Sequence, residues 1–267
     1  MLPNFIIIGA MKSGTSSLYQ YIATHPNIVR SSMKETDFFT QDGFKKGINW
    51  YNQQFSDSGQ YAFEASPNYS KRHIFPGVPE RMFSILPKIK LIYIVRDPIE
   101  RITSQYIHNY AHGRESQTLS EILKDTNNSY IQTSKYFFQI QAFLEYYPEN
   151  NLLIIESEQL RKDPSKTLNN IFNFLSITPE YDPNILKELF HESRVKERKS
   201  TIEIELCKKI NNPYLVKKIQ QLSKPLRKKF KKPSLTPKEK EMLSNVLTPD
   251  IDSLRTFSGL EFPDWSF

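Results

Sequence analysis

The sequence predicts an α/β fold: a single-domain, three-layer arrangement around a mostly parallel central sheet. Three observations carry this. Apolar runs of strand length recur at wide spacing, at 5–8 (FIII), Lys90–Val95 (KLIYIV) and 151–155 (NLLII). Each run leads into a helical pattern and not into a hairpin, so successive strands have to run parallel through crossovers. The runs also lack polar alternation, as strands covered on both faces do. At 267 residues the chain is long enough to bury one full core.

The first strand ends at Gly9, where the chain enters the loop Lys12-Ser13-Gly14-Thr15-Ser16-Ser17. A helix starting at Gly14 or Thr15 and stopping before His25-Pro26 aims its unpaired first-turn N–H groups, with these hydroxyls and Lys12, at an anion. This is a P-loop-like nucleotide-binding core in permuted form. In the triphosphatase loop G-x-x-x-x-G-K-[ST] the lysine follows the second glycine and stands beside a hydroxyl for magnesium. Here the lysine precedes the glycine, which counts against a P-loop kinase and leaves that reading as the alternative.

The second strand is short, 61–64, and ends at Ser66-Pro67. KLIYIV runs directly into Arg96-Asp97-Pro98, and a helix from Ile99 carries Ser104 and His108. NLLII ends at Glu156 and Glu158, and Asp163-Pro164 opens a helix over 165–175. From 203 to 247 the pattern is helical, broken at Pro213, Pro225, Pro233 and Pro237. There is no internal repeat and no low-complexity linker.

Hydrophobic residues at 38% and charged residues at 24% are ordinary for a globular protein. No stretch has the length of a membrane span, and the apolar start lacks a basic leader region, so the mature chain is expected to begin near Met1. Cys207 is the single cysteine, which rules out an internal disulfide, supplies no metal site and fits a cytoplasmic location. The net charge of +7 favours an anionic ligand, without indicating nucleic acid. Much of the excess lies between Lys196 and Lys232, read as a solvated helical face, with weak contact to a membrane surface as the alternative.

Arg96-Asp97-Pro98, with Arg101 and Ser104, repeats the logic of the first loop: a strand delivers an arginine and the next helix presents a hydroxyl. A guanidinium suits phosphate because it donates several N–H bonds in a planar fork. Together the two loops resemble those of the sulfotransferase family. The branch is that of the heparan sulfate sulfotransferases and their bacterial relatives, through Lys34-Glu35-x-x-Phe38-Phe39, Gly47-Ile48-x-Trp50-Tyr51, Ser104-x-Tyr106-x-His108, Tyr146-Tyr147-Pro148, Asp163-Pro164 and the ending from Pro249 to Trp265. The resemblance spans 1–267 as one sulfotransferase domain, least well over about 200–247. Three features depart from it. Ala65 stands where those enzymes have a lysine, Lys196-Glu197-Arg198 replaces a K-G-R loop, and the disulfide near that loop cannot form.

The resemblance implies 3′-phosphoadenosine 5′-phosphosulfate (PAPS) as donor, 3′-phosphoadenosine 5′-phosphate (PAP) as product, and no metal. It implies that Lys12, Ser13, Gly14, Thr15, Ser16 and Ser17 hold the 5′-phosphosulfate, that Arg96 and Ser104 hold the 3′-phosphate, and that Lys196 and Arg198 close over the donor. Glu35 is the expected base and His108 its rival. The acceptor is a hydroxyl or amine, with a glycan favoured. A module of this fold that binds nucleotide or polyanion without chemistry is the non-enzymatic alternative. Phe38, Phe39, Trp50 and Tyr51 are read as core or cleft wall, and His25, His73 and His191 as structural.

Overall fold

A computed structural model describes residues 1–56, 59–182, 186, 197–210 and 212–267. Five strands form one sheet in the order β2-β3-β1-β4-β5: β1 Phe5–Gly9, β2 Ile28–Arg30, β3 Tyr61–Ala65, β4 Lys90–Val95 and β5 Leu152–Glu156. Every pairing is parallel, with Ile6 opposite Glu64 on one side and Leu91 on the other. All five residues of β1 are buried. Their alternation divides the core: Phe5 and Ile7 pack with Leu18, Ile22, Leu168 and Ile171 on one face, while Ile6 and Ile8 pack with Ile102, Tyr136, Ile140 and Leu247 on the other.

Sheet order places the site. β2 and β3 lie on one side of β1, and β4 and β5 on the other, so the order reverses at β1 and opens a crevice at its carboxyl end. The loop after β1 and the helix Thr15–Ile22 begin in that crevice.

The three apolar runs are strands, and helices follow them at Thr15–Ile22, Pro98–Ala111 and Pro164–Leu175. The third strand starts one residue later than its apolar run, because 149–151 turns as a 3-10 helix after Pro148. β2 has only three residues and was below the length at which alternation can be read.

The basic region departs further from the sequence expectation. Helices Thr201–Lys209 and Pro213–Leu222 form, but Lys228–Lys229 (β7), where helix was expected, pairs antiparallel with Glu197–Arg198 (β6). The last helix, Pro237–Ser258, starts on a Thr236–Glu239 capping box and continues through Pro249. Next to that proline, Asp250 accepts from the backbone N–H groups of Phe137 (3.0 Å) and Phe138 (2.8 Å) and so anchors the helix Tyr136–Leu144. Burial raises the Asp250 carboxyl to about 6. Among the described residues no helix is long and apolar enough to cross a membrane.

Candidate active site

The loop after β1 is shaped by two glycines. A Cβ on Gly9 would lie 2.0 Å from Ser70 Oγ, so no larger residue fits where the 66–71 segment crosses β1. Gly14 has φ +104°, a backbone that side chains disfavour, and it caps the helix Thr15–Ile22 without any side-chain acceptor. The N–H groups of Thr15, Ser16 and Ser17 therefore have no intrahelical partner; Leu18 N–H is the first to bond back, to Gly14 O at 3.0 Å. Lys12 sits between these glycines at φ +70°.

Two further contacts hold the loop in place. Ala10 N–H donates to Ile94 O on β4 at 2.7 Å. Arg101 is fully buried and donates to Ser134 Oγ (2.6 Å), Gln105 Oε1 (2.7 Å), Tyr130 O (2.6 Å) and, in the loop itself, Met11 O (3.4 Å). This cation is satisfied by neutral oxygens, which makes Arg101 a support for the loop. Ser13 is fully buried with its hydroxyl against the Tyr136 phenol, which gives its proton to Arg96 O at 2.7 Å. The buried hydroxyl and the uncapped helix start suit an anionic donor group.

A cavity of about 350 Å³ brings Lys12, Arg96 and Ser104 together, as the sequence motifs implied. Ile99, Ile107 and Leu235 supply its apolar wall, and Lys232 and Lys240 add two cations. Lys228, Lys229 and Lys232 are all exposed, and Lys232 in addition lines the cavity. No local pattern signals this, because the neighbouring Lys228–Lys229 is held by its pairing with the distant Glu197–Arg198. Arg198 stacks over the Tyr110 ring at 4.1 Å and is not among the cavity-lining side chains. Lys196 and His191 lie outside the described residues.

Within the cavity Arg96 is paired with Glu100, its Nε donating to Glu100 Oε2 at 3.0 Å with a second, shorter contact from Nη2. Asp97 caps the helix Pro98–Ala111 by accepting from Glu100 N–H at 2.8 Å, and its other oxygen accepts from Ser266 N–H at 2.5 Å. The arginine is thus delivered on a backbone fixed from three sides. Its head group remains in an exposed ion pair of the kind that exchanges readily.

Glu35 lies on the neighbouring segment. Lys34 O accepts from Ala65 N–H, and Ser66 N–H donates to Ile7 O, so the 34–37 loop follows the carboxyl ends of β3 and β1. Glu35 is half exposed and ion-paired with Lys34 at 2.8 Å. Below it, fully buried Glu64 accepts from Thr36 (2.7 Å), Tyr51 (2.7 Å), Ser66 (2.5 Å) and Tyr69 (2.9 Å). Burial raises the Glu64 carboxyl, and these four hydroxyls oppose that rise. Phe38, Phe39 and Tyr51 are buried in one aromatic cluster, with Phe38 and Tyr51 stacked at 4.2 Å, so they are core.

A side chain that the sequence did not single out lies beside this loop. Lys71 is 8% exposed and makes no salt bridge among the described residues; its Nζ donates to Asn68 Oδ1 at 2.7 Å, and Asn68 Nδ2 donates to Asp37 Oδ2 at 2.9 Å. Burial, with Arg101 nearby, lowers the Lys71 ammonium to about 8, while Asp37 and Glu35 act in the opposite sense. No motif in the sequence pointed to it. His108 packs against His112, with ring centroids 4.3 Å apart, one turn beyond Ser104 on the same helix. His25 bonds Thr178 O through Nε2 (3.0 Å) and accepts from Asn27 N–H, and His73 contacts Thr133 and Gln139. Both are structural.

The sequence model of the sulfotransferase domain matches residues 2–255. The chain belongs to the sulfotransferase family. It is 31% identical over 201 residues to human bifunctional heparan sulfate N-deacetylase/N-sulfotransferase 2, and 30% identical over 216 residues to the Drosophila melanogaster enzyme. These matches cover 67% and 68% of this chain but only 22% and 20% of those relatives, so the chain spans about a fifth of their length. A solved sulfotransferase from Alicyclobacillus acidocaldarius superposes over the whole of both chains with a TM-score of 0.72 at 20% identity. Mouse sulfotransferase SULT7A1, solved complexed with PAP, superposes over 96% of this chain with a TM-score of 0.53 at 16% identity. The three-layer parallel fold is therefore a sulfotransferase fold.

Proposed function

We propose that this sulfotransferase moves the sulfonate of PAPS to a hydroxyl or amine of a glycan acceptor. The observation that carries the reading is the single cavity that joins Lys12, at an uncapped helix start, to Arg96 and Ser104 on the next helix. Thr15, Ser16 and Ser17, with Ser13 and Gly14 behind them, cradle the 5′-phosphosulfate, and Arg96 and Ser104 take the 3′-phosphate. Arg198, with Lys196, is the proposed cover for the donor.

Transfer breaks the bond between sulfur and the 5′-phosphate oxygen and forms one from sulfur to the acceptor oxygen or nitrogen. Lys12 neutralises the charge that grows on the leaving phosphate. Glu35 takes the proton that the acceptor loses, with His108 as the rival base. The glycan acceptor is supported by the likeness to the heparan sulfate enzymes, and a cytoplasmic setting by the single cysteine.

A binding titration with EDTA present tests the donor site. PAP is expected to bind at least tenfold more tightly than AMP, and ATP to gain nothing from added magnesium. Equal affinity for PAP and AMP would overturn the assignment of the 3′-phosphate site.

A further inference from the structure

Four large apolar side chains among the described residues are more than half exposed: Ile202 (65%), Tyr214 (72%), Leu222 (73%) and Leu226 (56%). All four fall in the helical pair Thr201–Lys209 and Pro213–Leu222 and the turn that follows it. Leu206 and Leu215, each 44% exposed, belong to the same stretch. The segment is also the seat of the protein's charge. Residues 201–232 hold ten Lys or Arg against two Glu, and the whole chain is only +7, so the rest is near neutral.

Helical geometry sets the two properties side by side. At about 100° per residue, Lys217, Tyr214, Lys218, Leu222 and Leu215 span a sector of roughly 160° on one helix. This sector is its exposed side, while Val216, Ile219 and Gln220 turn inward. On the preceding helix Ile202, Leu206 and Lys209 likewise share an exposed side. Beneath them the pair is anchored: Arg227 donates to fully buried Glu203 at 2.7 and 3.0 Å, and Lys199 stands 3.9 Å from the same carboxylate.

We infer that this helical pair is a docking surface for an anionic lipid bilayer. Charge complementarity selects the anionic headgroups. The apolar residues select lipid over other polyanions, because a sulfated glycan or a nucleic acid would neutralise the lysines and leave Leu222, Leu226 and Tyr214 in water. At a bilayer the leucines enter the boundary between headgroup and acyl chain while the lysines stay at the phosphates, the arrangement of interfacial amphipathic helices. The same segment ends at Lys232 on the donor cavity, so docking brings the reaction cleft to the lipid–water boundary.

Sedimentation of the full chain with phosphatidylcholine vesicles, with and without phosphatidylglycerol, tests this. The wild type is expected to sediment with the anionic vesicles and stay in solution with the neutral ones. Leu222→Ser with Leu226→Ser changes no charge, yet should weaken vesicle binding tenfold or more, while PAP affinity, as a check on folding, is unchanged. Lys217→Gln with Lys218→Gln and Lys224→Gln should weaken it as well, and added salt should do the same. The inference is overturned if the wild type ignores anionic vesicles, or if the serine variant binds them as the wild type does. It is equally overturned if the wild type is a dimer in solution that the serine variant dissociates, since a second copy then covers the patch.

Discussion

In the proposed role at the 3′-phosphate, Arg96 would have to exchange partners, and this makes its contribution calculable. Its guanidinium is held by Glu100 through two contacts, in a pair whose carboxylate side chain is 52% exposed. Releasing an exposed pair costs about 0.2–1 kcal/mol. A hydrogen bond to a charged phosphate returns about 1.5–3 kcal/mol. The net, about 0.5–2.8 kcal/mol, corresponds to roughly two- to hundredfold in affinity. Arg96→Ala should therefore weaken PAP by that factor and leave AMP, which lacks the 3′-phosphate, nearly unchanged. Glu100→Gln should act in the opposite direction. It frees the guanidinium and removes a negative charge from the cavity wall, so PAP should tighten by roughly two- to fivefold. Calorimetric titration of both variants with both nucleotides checks the pair of signs. Equal losses for PAP and AMP in Arg96→Ala, or weaker PAP binding by Glu100→Gln, would refute the exchange.

Glu35→Gln keeps the size of the side chain and removes the proton acceptor, so turnover should fall by about two orders of magnitude or more at unchanged PAP affinity. His108→Ala should cost less, and the reverse order of severity in steady-state assays would make His108 the base. Lys71→Met should stabilise the fold. A buried ammonium lowered to about 8 from 10.5 costs up to about 3 kcal/mol at neutral pH, so the melting temperature should rise. The sign with pH follows from the unfolded chain binding more protons between those values: wild-type stability should climb from about pH 8 to 10.5 through this group, and the methionine variant should lack that climb. Denaturation across that range checks both. Lys232→Ala should weaken PAP severalfold, whereas Lys228→Gln with Lys229→Gln should not, and parallel titrations in which the double variant loses as much would remove the distinction drawn between Lys232 on the cavity and the lysines away from it.

What the sequence revealed and what it hid follow from the range of the interactions. β1, β4 and β5 were legible because apolar runs buried on both faces leave a continuous local signal, and Gly9, Lys12 and Gly14 because a tight turn onto a helix start constrains residue type over a few positions. The meeting of Arg96 and Ser104 with Lys12 on one cavity followed from parallel topology, which places every strand's carboxyl end on one edge. Arg101 was read as part of an anion site, but its burial and its bond to Met11 O make it the floor of the loop. Distant partners decide that, and sequence spacing does not encode them. Lys71 was hidden because its character comes from burial beneath Asn68 and beside Arg101. Lys232 was hidden because a two-residue strand pairing, β6 with β7, is too short for any periodicity to announce.

Metal-free transfer from PAPS tests the central claim most directly. With EDTA present, the protein, PAPS and a panel of amine- and hydroxyl-bearing glycans should yield PAP and a sulfated acceptor in equal amounts, and Lys12→Ala should abolish both products while the protein remains folded. Tight PAP binding with no sulfated product from any acceptor, or magnesium-dependent phosphate transfer from ATP in its place, would contradict it.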